Sequence, residues 1–213
     1  MLFRPQVTIP VALITLSLIP IAAGLARLAQ IAGAPFEMPH NPSVSIGART
    51  VLVVHIASAL TFVSLGAFQF SAAPCPPNWS VHRLRGRIAG IAALATGASA
   101  LWLTAFFPHA PHDGPALNIL RVLAGAAIVA TTVLGFWAIR TQRRVEHRKW
   151  MMRAYALGAA TGLQSFATIG WHLAFENPSG PTRALIFGGC WCACLTFAEF
   201  RLRQSSRQKK EIP

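Results

Sequence analysis

Apolar residues dominate six long runs of this chain, and polar, proline-rich or basic residues fill the short stretches between them. A helix rises ~1.5 Å per residue, so ~20 apolar residues cross the ~30 Å hydrocarbon core of a bilayer. Each run reaches or approaches that length. The pattern therefore predicts an all-α polytopic membrane protein, a six-transmembrane-helix bundle with helices at about 7–33, 49–73, 82–107, 117–140, 147–175 and 183–200. A basic, polar tail follows over 201–213. No stretch is long enough for a separate soluble domain, so 1–213 reads as a single integral membrane domain. The first run resembles a signal peptide, with Ala32-Gly33-Ala34 in the place of a cleavage site. It is too long for a typical apolar signal region, and Pro35 would follow the cut, so it reads as a helix. Pro20 is placed to kink that helix.

Composition supports a membrane environment. Hydrophobic residues make up 54% of the chain and charged residues 12%, about half the charge of an ordinary soluble domain. The net charge of +13 would suggest nucleic acid if the bases formed one surface patch. They fall instead in clusters between apolar runs, as orientation signals do, and no nucleic-acid partner is expected. The amino terminus, the 74–87 turn, the 140–153 connection and the tail together hold fifteen Lys and Arg. The other side holds four: Arg27, Arg49, Arg121 and Arg183. The positive-inside rule makes the first side cytoplasmic, with both termini on it and anionic lipids against it.

Candidate chemistry begins with Glu146-His147-Arg148-Lys149-Trp150-Met151-Met152-Arg153, at the entrance of the fifth run. His172 closes that run ~37 Å further on, at ~1.5 Å per residue. His55 lies about two turns into the second run, with Ser58 and Phe62 on its side. His82 opens the third run within His82-Arg83-Leu84-Arg85-Gly86-Arg87. The histidines thus form two layers, His55 with His172 in the outer half and His82 with His147 at the cytoplasmic boundary. A bundle holding a b-type haem in each leaflet needs such an arrangement, with two axial imidazoles from facing helices. Arg83, Arg85 and Arg153 on the inside, and Arg49 and Arg121 on the outside, suit the propionates. Each histidine also has a plainer reading. His82 and His147 suit headgroup contact, His55 an interhelical hydrogen bond, and His172, beside Trp171, an aromatic belt.

Other features carry less. Cys190, Cys192 and Cys194 form C-x-C-x-C, but on a helix Cys192 points away from the other two, so the three read as small apolar residues rather than metal ligands. His109 and His112, with Asp113, have a spacing compatible with zinc or copper, yet read more simply as a solvated loop. Gly86-x-x-x-Gly90 and Gly158-x-x-x-Gly162 predict close helix contact, within the chain or with a partner. Glu199 and Arg203 are spaced to pair along the sixth helix. No phosphate-binding glycine loop, nucleophile elbow, mid-membrane carboxylate or clear internal repeat is present in the sequence.

Three segments carry a resemblance: L-x-V-H-I-A-x-A around His55, H-R-x-R-G-R-I from His82, and H-R-K-W-M-M-R-x-Y from His147. Across about 49–172 the chain resembles the bacterial inner-membrane family filed as domain of unknown function 2306. The resemblance implies a multi-pass protein of the bacterial inner membrane and no assigned activity. The chain is also loosely similar to di-haem b-type cytochromes of the ascorbate-reducible kind, which take one histidine from each of four helices. It departs from them in having none on helix four and two on helix five. The leading expectation is a haem-binding transmembrane electron-transfer protein with a redox partner. The alternatives are a non-catalytic accessory or assembly subunit of a larger membrane complex and a small-solute carrier.

The topology has a direct test. Green fluorescent protein joined after residue 142 or after the last residue should fluoresce, and alkaline phosphatase joined at 113 or 178 should be active. An active phosphatase at the carboxy terminus would contradict six crossings.

Overall fold

The computed structural model describes residues 5–38, 42–69, 79–110, 113–175 and 177–208, without the side chains of 5–8 and 205–208. The described chain is helical, with six helices and no strand: α1 (Pro5–Ile31), α2 (Ile46–Ala67), α3 (Trp79–Phe106), α4 (Pro115–Arg140), α5 (Arg144–Ala174) and α6 (Gly180–Gln208). Local chemistry sets several ends. Ser45 caps α2 by accepting from the Ala48 N–H at 3.2 Å, so α2 starts three residues before the expected 49. It ends at Ala67, short of the expected 73; residues 70–78 lie outside the described residues. Gly114 precedes α4 and Pro115 opens it, where a missing N–H costs nothing. The expected polar tail is corrected over 201–208, because α6 runs on to Gln208. Arg, Leu, Gln and Ser keep a helix going, and neither Gly nor Pro occurs there to stop it.

Helices α2, α3, α4 and α5 pack in sequence, and α5 returns to α2, closing a four-helix ring. Helix α1 packs on α2 and α5, and α6 on α4 and α5. Thus α5 touches four neighbours. Five helices are long and apolar enough to cross a membrane; α5, which carries the basic cluster, is not among them. It is nevertheless buried without a break from Ala154 to Ala160. Within the helix, Gln164 is buried, while Arg144, Arg148, Thr161 and His172 are exposed.

That burial depends on small residues. A Cβ at Gly158 would overlap the Phe62 ring, and one at Gly162 would overlap the Leu16 carbonyl. The second contact follows from Pro20. Proline has no N–H, so the carbonyl four residues earlier, that of Leu16, loses its helical partner. Gly162 lets the α5 backbone approach that carbonyl directly. Gly90 similarly faces the Phe136 ring, and Gly86 the Gln69 side chain. Both glycine pairs are therefore used in contacts within this chain. Phe62 meets Tyr155 edge-on, with centroids 5.9 Å apart, and the Tyr155 hydroxyl donates to the Val63 carbonyl at 3.1 Å. These residues, with Ala67, Ala93, Ala154 and Leu157, form the core.

Call the end that carries the α2–α3 and α4–α5 connections the basic end. Its arginines include Arg83, Arg85, Arg87, Arg140, Arg143 and Arg144, all exposed. Near it, Arg153 holds Glu199 bidentately at 2.5 and 3.2 Å, tying α5 to α6. This corrects the expected Glu199–Arg203 pair: α6 packs on α5, and the guanidinium fork of Arg153 takes both carboxylate oxygens.

Gly162→Ala should lower stability by at least about 1 kcal/mol, because the clash is with backbone. Gly189→Ala, where a Cβ meets nothing within 4 Å, should be neutral or gain up to about 1 kcal/mol from helix propensity. Unfolding midpoints in detergent check the pair.

Candidate functional site

Away from the basic end, the helices leave a cavity of about 620 Å³. All six contribute to its wall. Its floor is the top of the core, at Phe62, Ile128, Leu157 and Gly158. Most of the lining is apolar, and polar groups enter at three places.

The first is the α2–α3 contact. The Ser99 hydroxyl donates to the Ala95 carbonyl at 2.5 Å, so its oxygen accepts from His55 Nδ1 at 3.0 Å. This arrangement puts the ring proton on Nδ1, and the residue lines the cavity. One turn along, Thr96 donates to Ser58 at 3.0 Å, and Ser58 donates to the His55 carbonyl at 3.0 Å. The second is Gln164 on α5, 5% exposed, whose Nε2 donates to the Phe187 carbonyl of α6 at 3.4 Å.

The third is a charge cluster. Asp113 ends the α3–α4 connection, Arg121 lies in the second turn of α4, and Arg183 in the first turn of α6. Gly114 and Gly180 pass in contact, which brings the two segments together. Arg121 Nη1 donates to Asp113 Oδ2 at 2.6 Å and to Asn118 at 3.3 Å. Arg183 Nη1 stands 3.1 Å from Asp113 Oδ1, an ion pair by distance. It is not a well-aligned hydrogen bond: Asp113 Oδ1 and Arg183 Nε are both buried without a hydrogen-bond partner among the described residues. The carboxylate is 3% exposed, while the two guanidinium side chains are 28% and 22% exposed. Among the described residues, one buried acid thus serves two bases, leaving an excess positive charge at the cavity wall.

The expected site residues are distributed as follows. His55 lines the cavity. His172 is exposed on α5 and is not part of the lining, so the imidazole sharing the cavity with His55 is that of His109. His112 lies outside the described residues. His82 and His147 come within electrostatic reach of each other, both half-buried at the basic end. His147 Nδ1 donates to the Gly135 carbonyl at 2.8 Å, leaving Nε2 free. Arg83 is exposed, and Arg153 is engaged by Glu199 and stacked 4.7 Å from the Trp150 ring. Arg85 lies 5.8 Å from the Phe68 ring.

A haem held between helices would need facing imidazoles, each usually fixed through its other ring nitrogen. His147 meets the second condition through Gly135, and His55 meets it through Ser99. The α6 cysteines follow their helical spacing, with Cys190 buried and Cys192 exposed. Among the described residues, no three His, Cys, Asp or Glu gather as a metal site.

Breaking the charge cluster should be costly. Asp113→Asn leaves two guanidinium groups without their carboxylate and should lower stability by about 3 kcal/mol. Glu146→Gln, at an exposed Lys149–Glu146 pair of 2.7 Å, should change it by less than about 1 kcal/mol. Equal losses in detergent unfolding would contradict the assignment.

Residues 52–202 match the model of a family described as "Predicted membrane protein (DUF2306)". No curated protein and no solved structure matches the chain.

Proposed function

We propose that this chain, which belongs to the DUF2306 family of predicted membrane proteins, binds a small amphiphilic molecule in the cavity between its helices. The observation that carries this reading is the cavity. Its volume of about 620 Å³ falls within the ~300–1,000 Å³ of small-molecule sites. Apolar walls with a few convergent polar groups suit a ligand with a greasy body and a polar head. Helix α5 serves as the sixth crossing: its 31 residues reach ~46 Å at ~1.5 Å per residue, and four neighbouring helices bury its middle from Ala154 to Ala160. Both termini then lie on the cytoplasmic side of a bacterial inner membrane, and the cavity lies in the outer half.

A second reading is supported by His147. Its Nδ1–H is held by the Gly135 carbonyl, as the second ring nitrogen of a haem ligand usually is, and His82 lies within electrostatic reach. His82 and His147 would hold the group, and Arg83 would meet its propionates. A bound haem supplies one-electron transfer chemistry.

One preparation tests both readings. Protein extracted in mild detergent should carry a small-molecule adduct in native mass spectrometry. Ala59→Leu and Ala100→Leu, which put volume into the cavity, should lose it. A bare mass for the parent protein, or an adduct kept by both filled variants, contradicts ligand binding. A haem adduct with a reduced b-type α-band, lost in His147→Ala, supports the second reading; a colourless preparation without haem rejects it.

A further inference from the structure

We propose that the cavity ligand carries an anionic head, a carboxylate or a phosphate, seated against Arg121 and Arg183, with Asp113 acting as the post that holds both guanidinium groups. This inference rests on the ligand-binding reading above and gives that ligand its chemical class.

Three observations converge. Charge comes first. Arg121 and Arg183 share the single carboxylate of Asp113, and all three line the cavity. The uncompensated positive charge in a low-dielectric wall favours an anion over a neutral or cationic head. Hydrogen bonding comes second. Among the described residues, the Arg183 side chain makes no well-aligned hydrogen bond, and donors left unmet cost free energy until an acceptor arrives. Both guanidinium groups keep part of their exposure, 28% for Arg121 and 22% for Arg183, so an incoming oxygen would meet their exposed nitrogens. The third observation is shape. From the arginines the lining passes to Ile21, Ile56, Leu60, Phe187 and Trp191, which offer an alkyl or ring body nothing but apolar contact. A head that only carried charge would leave that wall unused, and a body without charge would leave the arginines uncompensated.

Asp113 fixes the geometry. The carboxylate is 3% exposed and pinned at the start of α4, and the guanidinium groups retain part of their exposure. The ligand thus adds to the cluster and leaves its internal ion pairs in place. The same anion could be borne by a membrane lipid or by a soluble acid; both present the same oxygens to the arginines.

Trp191 in the lining gives the test its signal. The full-length protein in detergent is titrated with dibromostearate, whose bromines quench indole emission on contact. Saturable quenching is expected, and Trp191→Phe should lose that component. The methyl ester of the same acid, equal in shape but neutral, should bind at least about tenfold more weakly, as should Arg183→Gln with the free acid. Arg183→Lys should keep part of the affinity, which separates charge from misfolding. Competition by decanoate but not by inorganic phosphate assigns the anion to a lipid-like acid; competition by inorganic phosphate alone assigns it to a soluble one. If the acid and its ester quench equally with half-saturation at the same concentration, the anionic head is wrong although an amphiphile site stands. If neither quenches saturably, the ligand-binding reading itself fails.

Discussion

The architecture depends on how closely α5 can approach the helices around it. Lipid tails are as apolar as leucine, so burying oil against oil does not drive helices together; close van der Waals fit and satisfied polar groups must. A glycine and alanine surface over 154–162 provides that fit. At Gly162 the approach reaches backbone, against the carbonyl that Pro20 leaves without a helical partner. One proline on α1 and one glycine on α5 thus define a single crossing. With α5 fixed, Phe62, Tyr155 and the alanines of α2 and α3 fill the half of the bundle nearer the basic end.

The other half is not filled in the same way, and the contrast has consequences. Where the core ends, side chains turn polar and converge without closing the space. Hydroxyls inside the helices mostly donate to the carbonyl one turn back, as Ser17 does to Leu13 at 2.9 Å and Thr132 to Ile128 at 2.7 Å. Such groups are satisfied locally and add little to specificity. The exceptions reach between helices: His55 to Ser99, Thr96 to Ser58, and Asp113 to two arginines. All three lie at the cavity wall. Polar groups that cross between helices in lipid are costly unless paired; these three sets gather around the cavity, while Tyr155, His147 and Arg153 are paired nearer the basic end.

Much of the helical plan was legible in the sequence, because run length and apolarity are enforced by the bilayer. The helix ends were less so: Ser45 moved α2 earlier, and α6 ran through residues whose polarity suggested a free tail. The partner of Glu199 was missed because a neighbour four residues away is visible in sequence, and Arg153 on another helix is not. The charge cluster was missed for the same reason. Asp113 and Arg183 are far apart in the chain, and each had a sufficient local reading, one as loop and one as topology signal. A signal did exist. The end away from the basic one has few bases, so two arginines set in the first and second turns of helices there called for a structural partner. His55 was legible as a polar group inside an apolar run, while its neighbour Ser99 required coordinates.

The most direct measurement is an experimental density map of the protein purified from its own membrane with native lipids retained. The account predicts an elongated feature along Ile56, Leu60 and Trp191 that ends in an oxygen-bearing head at Arg121 and Arg183. A cavity closed by inward movement of those side chains, with Arg183 Nε bonded to protein, would contradict it.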